Sequence, residues 1–368
     1  MIRQRVLTIL LLITACGVLS GQAGEKTISQ PGELFLRIKS INFIKNNEYF
    51  NPIIEGYTLM GFFFQPELVY SPSDKVTLCA GTHLLKYSGT KKFSQIKPVF
   101  SASLKLTEKS VLTLGSLSGS DSHQLFDPHF NTERLYTDYL EDGFQLTTLT
   151  DHIFNDTWIS WENFIFKGDS TREVFTFGES FRYKSSLISD FMQIEIPFQI
   201  QFKHFGGQIS NYPEHVETFF NLATGIGLNF KPEQSRYGEA GIEYLQFLNN
   251  ELNGESQYGI THGYASWVRF HYTYKALSFG ASYWRAHNFF APNGNAIYGS
   301  VSDYKPGVVV HERRIINNFL SVSFLPESFL QLFLAFETYY DVDLKRLDNS
   351  VTLHLNFDKL IRLATLKH

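Results

Sequence analysis

Hydrophobic and polar residues alternate with a period of two along most of the chain. In residues 192–203, MQIEIPFQIQFK, the apolar side chains occupy the even positions, and Gln, Glu and Lys occupy most of the odd ones. Residues 100–106 and 350–357 alternate in the same way. This period is typical of β-strands with one apolar and one polar face, and almost no segment has the 3.6-residue period of a helix.

The alternating runs predict about 16 β-strands. The predicted strands are residues 33–44, 56–70, 75–87, 94–106, 110–118, 143–152, 156–167, 172–184, 191–204, 216–230, 237–248, 258–273, 276–286, 313–324, 329–340 and 347–357.

The connections alternate between short and long from the second predicted strand onward. Short links such as SPSD, LTEKS and LPES are separated by longer ones, of which the largest are Gly119–Asp142, Phe205–His215 and His287–Glu312. Outer-membrane barrels have short periplasmic turns and long outer loops. The sequence therefore predicts an all-β fold: a single closed antiparallel transmembrane β-barrel of about 14–16 strands.

Composition favours lipid, and not a protein core, as the environment of the apolar face. Charged residues make up 18% of the 368 residues, against about 25% in a typical soluble domain. A soluble barrel with its apolar face inward is the rival interpretation, but it would need a Lys- and Glu-rich exterior. The net charge of −4 provides no basic surface for nucleic acid. We therefore expect a bacterial outer-membrane protein whose partner is outer-membrane lipid.

The N-terminus predicts an export signal. Arg3 and Arg5 precede a short apolar run, and small residues surround a cleavage position after Ala23. This pattern predicts a signal peptide over residues 1–23 and a mature barrel over residues 24–368. Residues 13–16 also match a lipobox, which leaves open whether Cys16 is lipidated.

Three segments of the sequence resemble a group of uncharacterised outer-membrane β-barrel (porin-like) proteins of Bacteroidota. They are EGYTLMGFFFQPELVYSPS (55–73), AGTHLLKYSG (80–89) and HFGGQIS (204–210). The resemblance implies a barrel in the outer membrane and brings no known active site.

The polar residues that alternate with apolar ones along each strand should line a water-filled lumen. Charges of both signs there would select small polar solutes. The candidate lumen-lining residues are Glu162, Glu195, Gln199, Gln201, Lys203, Arg269, His271, Asn317, Gln331 and Glu337. Any wet lumen needs polar residues, so a role in selectivity does not follow from the pattern alone. The long loop with APNGNAIYGS (291–300) either folds into this lumen or remains at the surface.

The loop between the fifth and sixth strands carries residue types that bind divalent cations. Asp121, His123, Asp127 and His129 are candidate metal ligands, although their spacing matches no known site and a solvated acidic loop explains them equally well.

These features favour a porin-like channel for passive diffusion of small polar solutes. No His-Glu-x-x-His or Gly-x-Ser-x-Gly motif occurs, so the sequence predicts that the protein is not an enzyme and needs no cofactor. One alternative is a non-conducting structural or accessory subunit of an outer-membrane complex. A hydrolase or binding protein acting at the barrel rim is another. The number of associated copies is open, and a homo-oligomer is one possibility.

Overall fold

A computed structural model describes residues 31–366, except 189–190, 208, 210, 233–236 and 326–327. The expected signal peptide and Cys16 lie outside the described residues. The described residues form 16 strands. They are β1 (Glu33–Glu48), β2 (Thr58–Tyr70), β3 (Val76–Tyr87), β4 (Gln95–Thr107), β5 (Ser110–Ser116), β6 (Asp142–Leu149), β7 (Ile153–Asn163), β8 (Glu173–Lys184), β9 (Met192–Gly206), β10 (Glu217–Phe230), β11 (Glu239–Glu251), β12 (His262–Tyr274), β13 (Leu277–His287), β14 (Glu312–Phe324), β15 (Leu330–Asp341) and β16 (Arg346–Thr365).

The strands form one closed antiparallel barrel. Each strand pairs with its neighbours in the chain, and β1 closes the cylinder by pairing with β16 from Glu33↔Thr365 to Glu48↔Asn349. The predicted all-β fold is confirmed. The helical segments in the described part of the chain are single turns, and none has the length and apolarity needed to cross a membrane.

Alternation along β9 separates a lipid-facing surface from the lumen. Ile196 and Phe198 are 42% and 38% exposed on the outside, whereas Gln199, Gln201 and Lys203 are buried inside. The same alternation places bulky apolar side chains outward on the other strands. The apolar face therefore meets the bilayer, as expected of a barrel in the bacterial outer membrane.

Strand β16 is longer than the sequence predicts. Instead of ending at Phe357 it continues to Thr365, because β1 begins at Glu33 and pairs with the added residues. A salt bridge of 2.7 Å between Arg37 and Asp358 joins the two strands there. The segment after Phe357 thus completes the closing seam.

Aromatic side chains mark both edges of the outward apolar surface. Tyr183 and Phe329 lie beside the short turns, which define the periplasmic rim, and Tyr264, Tyr283 and Tyr340 lie nearer the long loops. Rings at these two levels form the girdles that outer-membrane barrels place at the bilayer interfaces.

The outward surface yields a test of membrane depth. Phe198→Arg should lower the free energy of unfolding in lipid vesicles by about 2–4 kcal/mol, because it places a basic residue near the bilayer midplane. Asn250→Arg, on an exposed position near the extracellular end of β11, should cost only about 0–1 kcal/mol. Denaturant titration of both variants measures the difference, and equal costs would contradict the assigned lipid-facing surface.

Candidate functional site

Two long outer loops fold into the barrel and fill its extracellular half. We call residues 117–141, between β5 and β6, the plug loop, and residues 288–311, between β13 and β14, the cap loop. Asn293 of the cap loop donates a hydrogen bond of 3.0 Å to Thr176 on β8, across the lumen from β13. Of the two alternatives for residues 291–300, the structure therefore has the inward one.

An aromatic cluster joins both loops to one side of the inner wall. Phe126 of the plug loop contacts Phe247 and Trp267 edge-on, at centroid distances of 6.1 and 6.4 Å. Tyr298 of the cap loop packs 5.2 Å from Trp284, whose indole N–H donates to the Tyr298 carbonyl at 3.1 Å. All five side chains are buried, so aromatic packing fills this part of the bore.

The plug loop also reaches the opposite side of the wall. Tyr136 packs against Phe43 on β1 at 4.8 Å, and Tyr139 stacks on Phe63 of β2 at 4.9 Å. The Tyr136 hydroxyl is 2.6 Å from Nδ1 of His354 on β16. The plug loop therefore spans the bore.

His123 fastens the plug loop to the wall through two buried carboxylates. Its Nδ1 is 2.8 Å from Asp156 on β7, and its Nε2 is 2.6 Å from Glu141 at the end of the loop. The imidazole stacks 3.8 Å from the Trp158 ring. Gly178 makes room for that ring, since a Cβ there would lie 2.2 Å from it.

The charge on His123 is set by these contacts. Burial opposes the charged form, but the carboxylates of Glu141 and Asp156 outweigh it and raise the pKa of His123 from 6.5 to about 9. A protonated imidazole donates to both carboxylates, so the His123 group is a buried ion triad.

The raised pKa predicts a pH dependence of stability. The triad stabilises the folded state fully below pH 6.5, and this contribution is lost as the pH rises through about 9. The melting temperature of the purified barrel should therefore fall between pH 7 and 10.

Substituted barrels provide the control for this pH step. The triple variant His123→Phe, Glu141→Gln, Asp156→Asn removes all three charges and should lose that part of the fall. His152→Gln, on an exposed turn, should retain it. An unchanged pH step in the triple variant would show that His123 is not the titrating group.

The ten candidate lumen residues lie on the inner face, and most contact protein groups. Glu162 turns inward at a bulge in β7 and pairs with Lys203. Gln199 donates to the Gln124 carbonyl at 3.1 Å, and Gln201 donates to the His129 carbonyl at 3.3 Å. The Gln199 and Gln201 contacts hold the plug loop, and a role in solute passage for these residues stays a prediction.

The other candidates lie on β9, β12, β14 and β15. Glu195 pairs with Arg182 at 3.1 Å, and Gln331 donates to the Ser328 carbonyl at 3.3 Å. Arg269, His271, Asn317 and Glu337 line a cavity of about 130 Å³ beside the plug loop.

The candidate metal ligands are not brought together. His123 is held by its two carboxylates, and Asp127 accepts hydrogen bonds from Thr132 and Asn295. Burial lowers the pKa of His129 to about 3, and its neutral ring packs edge-on to Phe247. Within the described ranges, no group of three or more His, Cys, Asp or Glu side chains could hold a metal ion.

A larger cavity of about 350 Å³ lies between the outer loops. Tyr258, Phe289 and Phe290 supply part of its apolar lining, and Asp303 is its acidic residue. Burial raises the pKa of Asp303 to about 6.

Polar residues interrupt the outward apolar surface near the extracellular ends of β11–β14. His287 and Glu312 are cross-strand partners, with Nδ1 of His287 2.6 Å from the Glu312 carboxylate. Asn288 lies 3.2 Å from Nε2 of the same ring. Both contacts fit a tautomer in which Nδ1 carries the proton and Nε2 is an acceptor.

Ser266 lies on the same outer surface, on the strand next to His287. Tyr264 is the cross-strand partner of His287, and Ser266 follows it by two residues. Such diagonal neighbours have Cα atoms about 7–8 Å apart, within reach of long side chains. The Ser266 hydroxyl accepts a hydrogen bond of 2.9 Å from the Gln246 amide nitrogen and donates one of 3.1 Å to the Gln246 amide oxygen. We call Ser266, His287 and Glu312 the outer polar group.

A second outward polar network lies at the same level on β1 and β2. Asn46 donates to the Glu48 carboxylate at 2.9 Å and accepts from the Thr58 hydroxyl at 2.5 Å. This network contains no imidazole, so its one titratable side chain is Glu48.

Sequence reasoning missed both outer groups. The sequence does carry a sign of them. Ser266, Arg285 and Arg314 are polar residues at strand positions where the alternation calls for apolar ones. They form no motif in the chain because strand pairing brings them together.

The closed barrel and its outward apolar surface define a bacterial outer-membrane β-barrel protein. A family model described as Lipid A 3'-O-deacylase-type matches residues 26–366, and the chain belongs to this family. The match spans all 16 strands.

Solved structures share the fold at low sequence identity. The outer membrane protein OprD from Pseudomonas aeruginosa has a TM-score of 0.52 and 11% identity, covering 93% of this chain and 97% of that one. A loop L8 deletion mutant of OmpT from Vibrio cholerae has a TM-score of 0.54 and 12% identity, covering 90% and 100%. P. aeruginosa OccK2 (OpdF), in complex with glucuronate, has a TM-score of 0.52 and 9% identity, covering 93% and 100%. No curated protein matches the chain.

The family overturns one prediction from the sequence. The chain was expected not to be an enzyme, and that prediction is wrong because its family is named for a deacylase. The motifs sought were short local ones, whereas strand pairing brings together residues that are far apart in the chain.

Proposed function

We propose that the protein is an outer-membrane ester hydrolase that removes an acyl chain from lipid A in the outer leaflet. The observation that carries this proposal is the family match over residues 26–366, which includes the whole barrel. The substrate's ester would reach the protein from the side, through the bilayer.

The filled bore supports a reaction at the outer surface. The aromatic cluster and the plug loop occupy the extracellular half of the lumen, whereas the outer polar group faces the membrane. Its residues lie near the extracellular ends of β12, β13 and β14, close to the headgroup level of the outer leaflet.

The outer polar group contains the parts of an acyl-transfer site. Glu312 holds the His287 ring through Nδ1, and Nε2 would act as general base once its hydrogen bond from the Asn288 amide is exchanged for one from the nucleophile. The Ser266 hydroxyl would attack the ester carbonyl while its proton passes to Nε2, giving an acyl-enzyme. The sugar alkoxide would leave with the proton from His287, and water would then hydrolyse the acyl-enzyme.

Substitutions at the outer polar group test this assignment. His287→Ala should lower the rate of lipid A deacylation by purified protein by a factor of about 10²–10⁴, the usual contribution of a general base. Ser266→Ala should lower it as strongly if serine is the nucleophile. Mass spectrometry of the product measures both rates.

Several outcomes separate the site from the function. Full activity in Ser266→Ala with loss in His287→Ala would replace serine with an activated water as nucleophile. Full activity in His287→Ala would refute this site, and loss in Glu48→Gln would then move it to the second outward network. Inactivity of the correctly folded wild-type protein on lipid A would refute the hydrolase itself.

Passive diffusion of small polar solutes is the second candidate function. Its support is the fold shared with other outer-membrane barrels, together with cavities of about 350 and 130 Å³ beside the plug loop. A non-conducting accessory subunit, alone or as a homo-oligomer, is the remaining alternative. The Bacteroidota origin implied by the resemblance stays a prediction.

Conductance in a planar bilayer distinguishes these candidates. With the loops folded inward, the wild-type barrel should show no steady open state at neutral pH. Deletion of residues 291–300 should produce open steps, because it removes the cap-loop part of the aromatic cluster. Stable conductance of the wild-type protein would favour the channel.

A further inference from the structure

We infer that Arg285 and Arg314 form a docking site for a phosphate group of an outer-leaflet glycolipid. This inference deepens the proposed function, because it names the part of the lipid that the outer surface recognises.

The two arginines are side-by-side on the membrane-facing surface. Arg285 on β13 and Arg314 on β14 are direct cross-strand partners. Each is exposed and lies two residues from the extracellular end of its strand. Like charges directly opposite each other destabilise a sheet, so this pair gains from an anion that contacts both.

The nearby carboxylates contact Arg314 and His287. Asp343 in the β15–β16 turn accepts from Nε and Nη2 of Arg314 at 3.0 and 2.5 Å. Glu312 is bonded to His287. The salt bridges of this region join Arg314 to Asp343 and His287 to Glu312, and Arg285 forms no ion pair with any residue that the structure describes. Its guanidinium is therefore available to an anion at the bilayer surface.

The surface toward the periplasm fits the acyl chains of the same lipid. Tyr283 and Ile316 are cross-strand partners directly below the arginines and are 41% and 42% exposed. Phe279 and Leu320 continue this apolar surface and are 43% and 47% exposed. A phosphate bound by two guanidinium groups above an apolar wall matches a phosphorylated glycolipid.

This position also relates docking to the outer polar group. Arg285 pairs with Ser266 on its other side, and the next outward pair is His287 with Tyr264. A phosphate held at Arg285 would therefore place the sugar and its acyl esters beside Ser266 and His287.

Lipid retention by the purified barrel tests the docking site without relying on turnover. Bis-phosphorylated lipid A and the same lipid without phosphates are added to the protein in detergent, and native mass spectrometry measures the bound fraction. The wild-type protein should retain the phosphorylated form at least tenfold better. Arg285→Ala and Arg314→Ala should each abolish most of that preference.

Lys86→Ala is the matched control. Lys86 is an outward basic residue near the extracellular end of β3, away from β13 and β14 in the strand order, and its loss should leave the preference unchanged. His287→Ala should also bind normally. Binding by His287→Ala with loss in Arg285→Ala supports docking even if no hydrolysis is found.

Three results with the two lipids would overturn the inference. They are equal retention of the two lipids by the wild-type protein, unchanged preference in both arginine variants, and equal loss in Lys86→Ala. Displacement of the lipid by inorganic phosphate at matched concentration would also contradict it, because it would assign the site to free phosphate. Circular dichroism of each variant verifies that the barrel is folded.

Discussion

The hydrogen-bonded seam between β1 and β16 is the constraint on which the structure depends. In hydrocarbon an unpaired backbone edge costs several kcal/mol per polar group, so a spanning sheet must close. Closure fixes an inside and an outside, and the period of two then assigns every strand residue to lipid or to lumen. Closure also explains the length of β16. Residues 358–365 pair with β1, and this pairing makes β16 the longest strand.

A barrel of 16 strands encloses more space than its wall side chains fill. Here the plug and cap loops fill the extracellular half, and their contacts resemble a protein core more than a pore lining. Buried rings supply most of the packing, and the His123 triad connects the plug loop to β7 through charge. Because the bore is packed in this way, the outer wall, where polar residues interrupt an apolar surface, is the more accessible place for a reaction.

The strand pattern could be predicted from the sequence because each residue's face depends only on its parity. The inward folding of residues 117–141 could not, since it depends on contacts such as Tyr136 with Phe43, far away in the chain. His123 was a metal candidate by residue type, but its partner Asp156 lies in the next hairpin. The outer polar group was hidden for the same reason: Ser266 and His287 become neighbours only through the pairing of β12 with β13.

The most direct test of the proposed function is the mass spectrum of lipid A extracted from cells that produce this protein in their outer membrane. Loss of one ester-linked acyl chain, compared with cells that carry an empty vector, is the expected result. An unchanged spectrum, with the barrel assembled in the outer membrane, would contradict the assignment of the protein as a lipid A hydrolase.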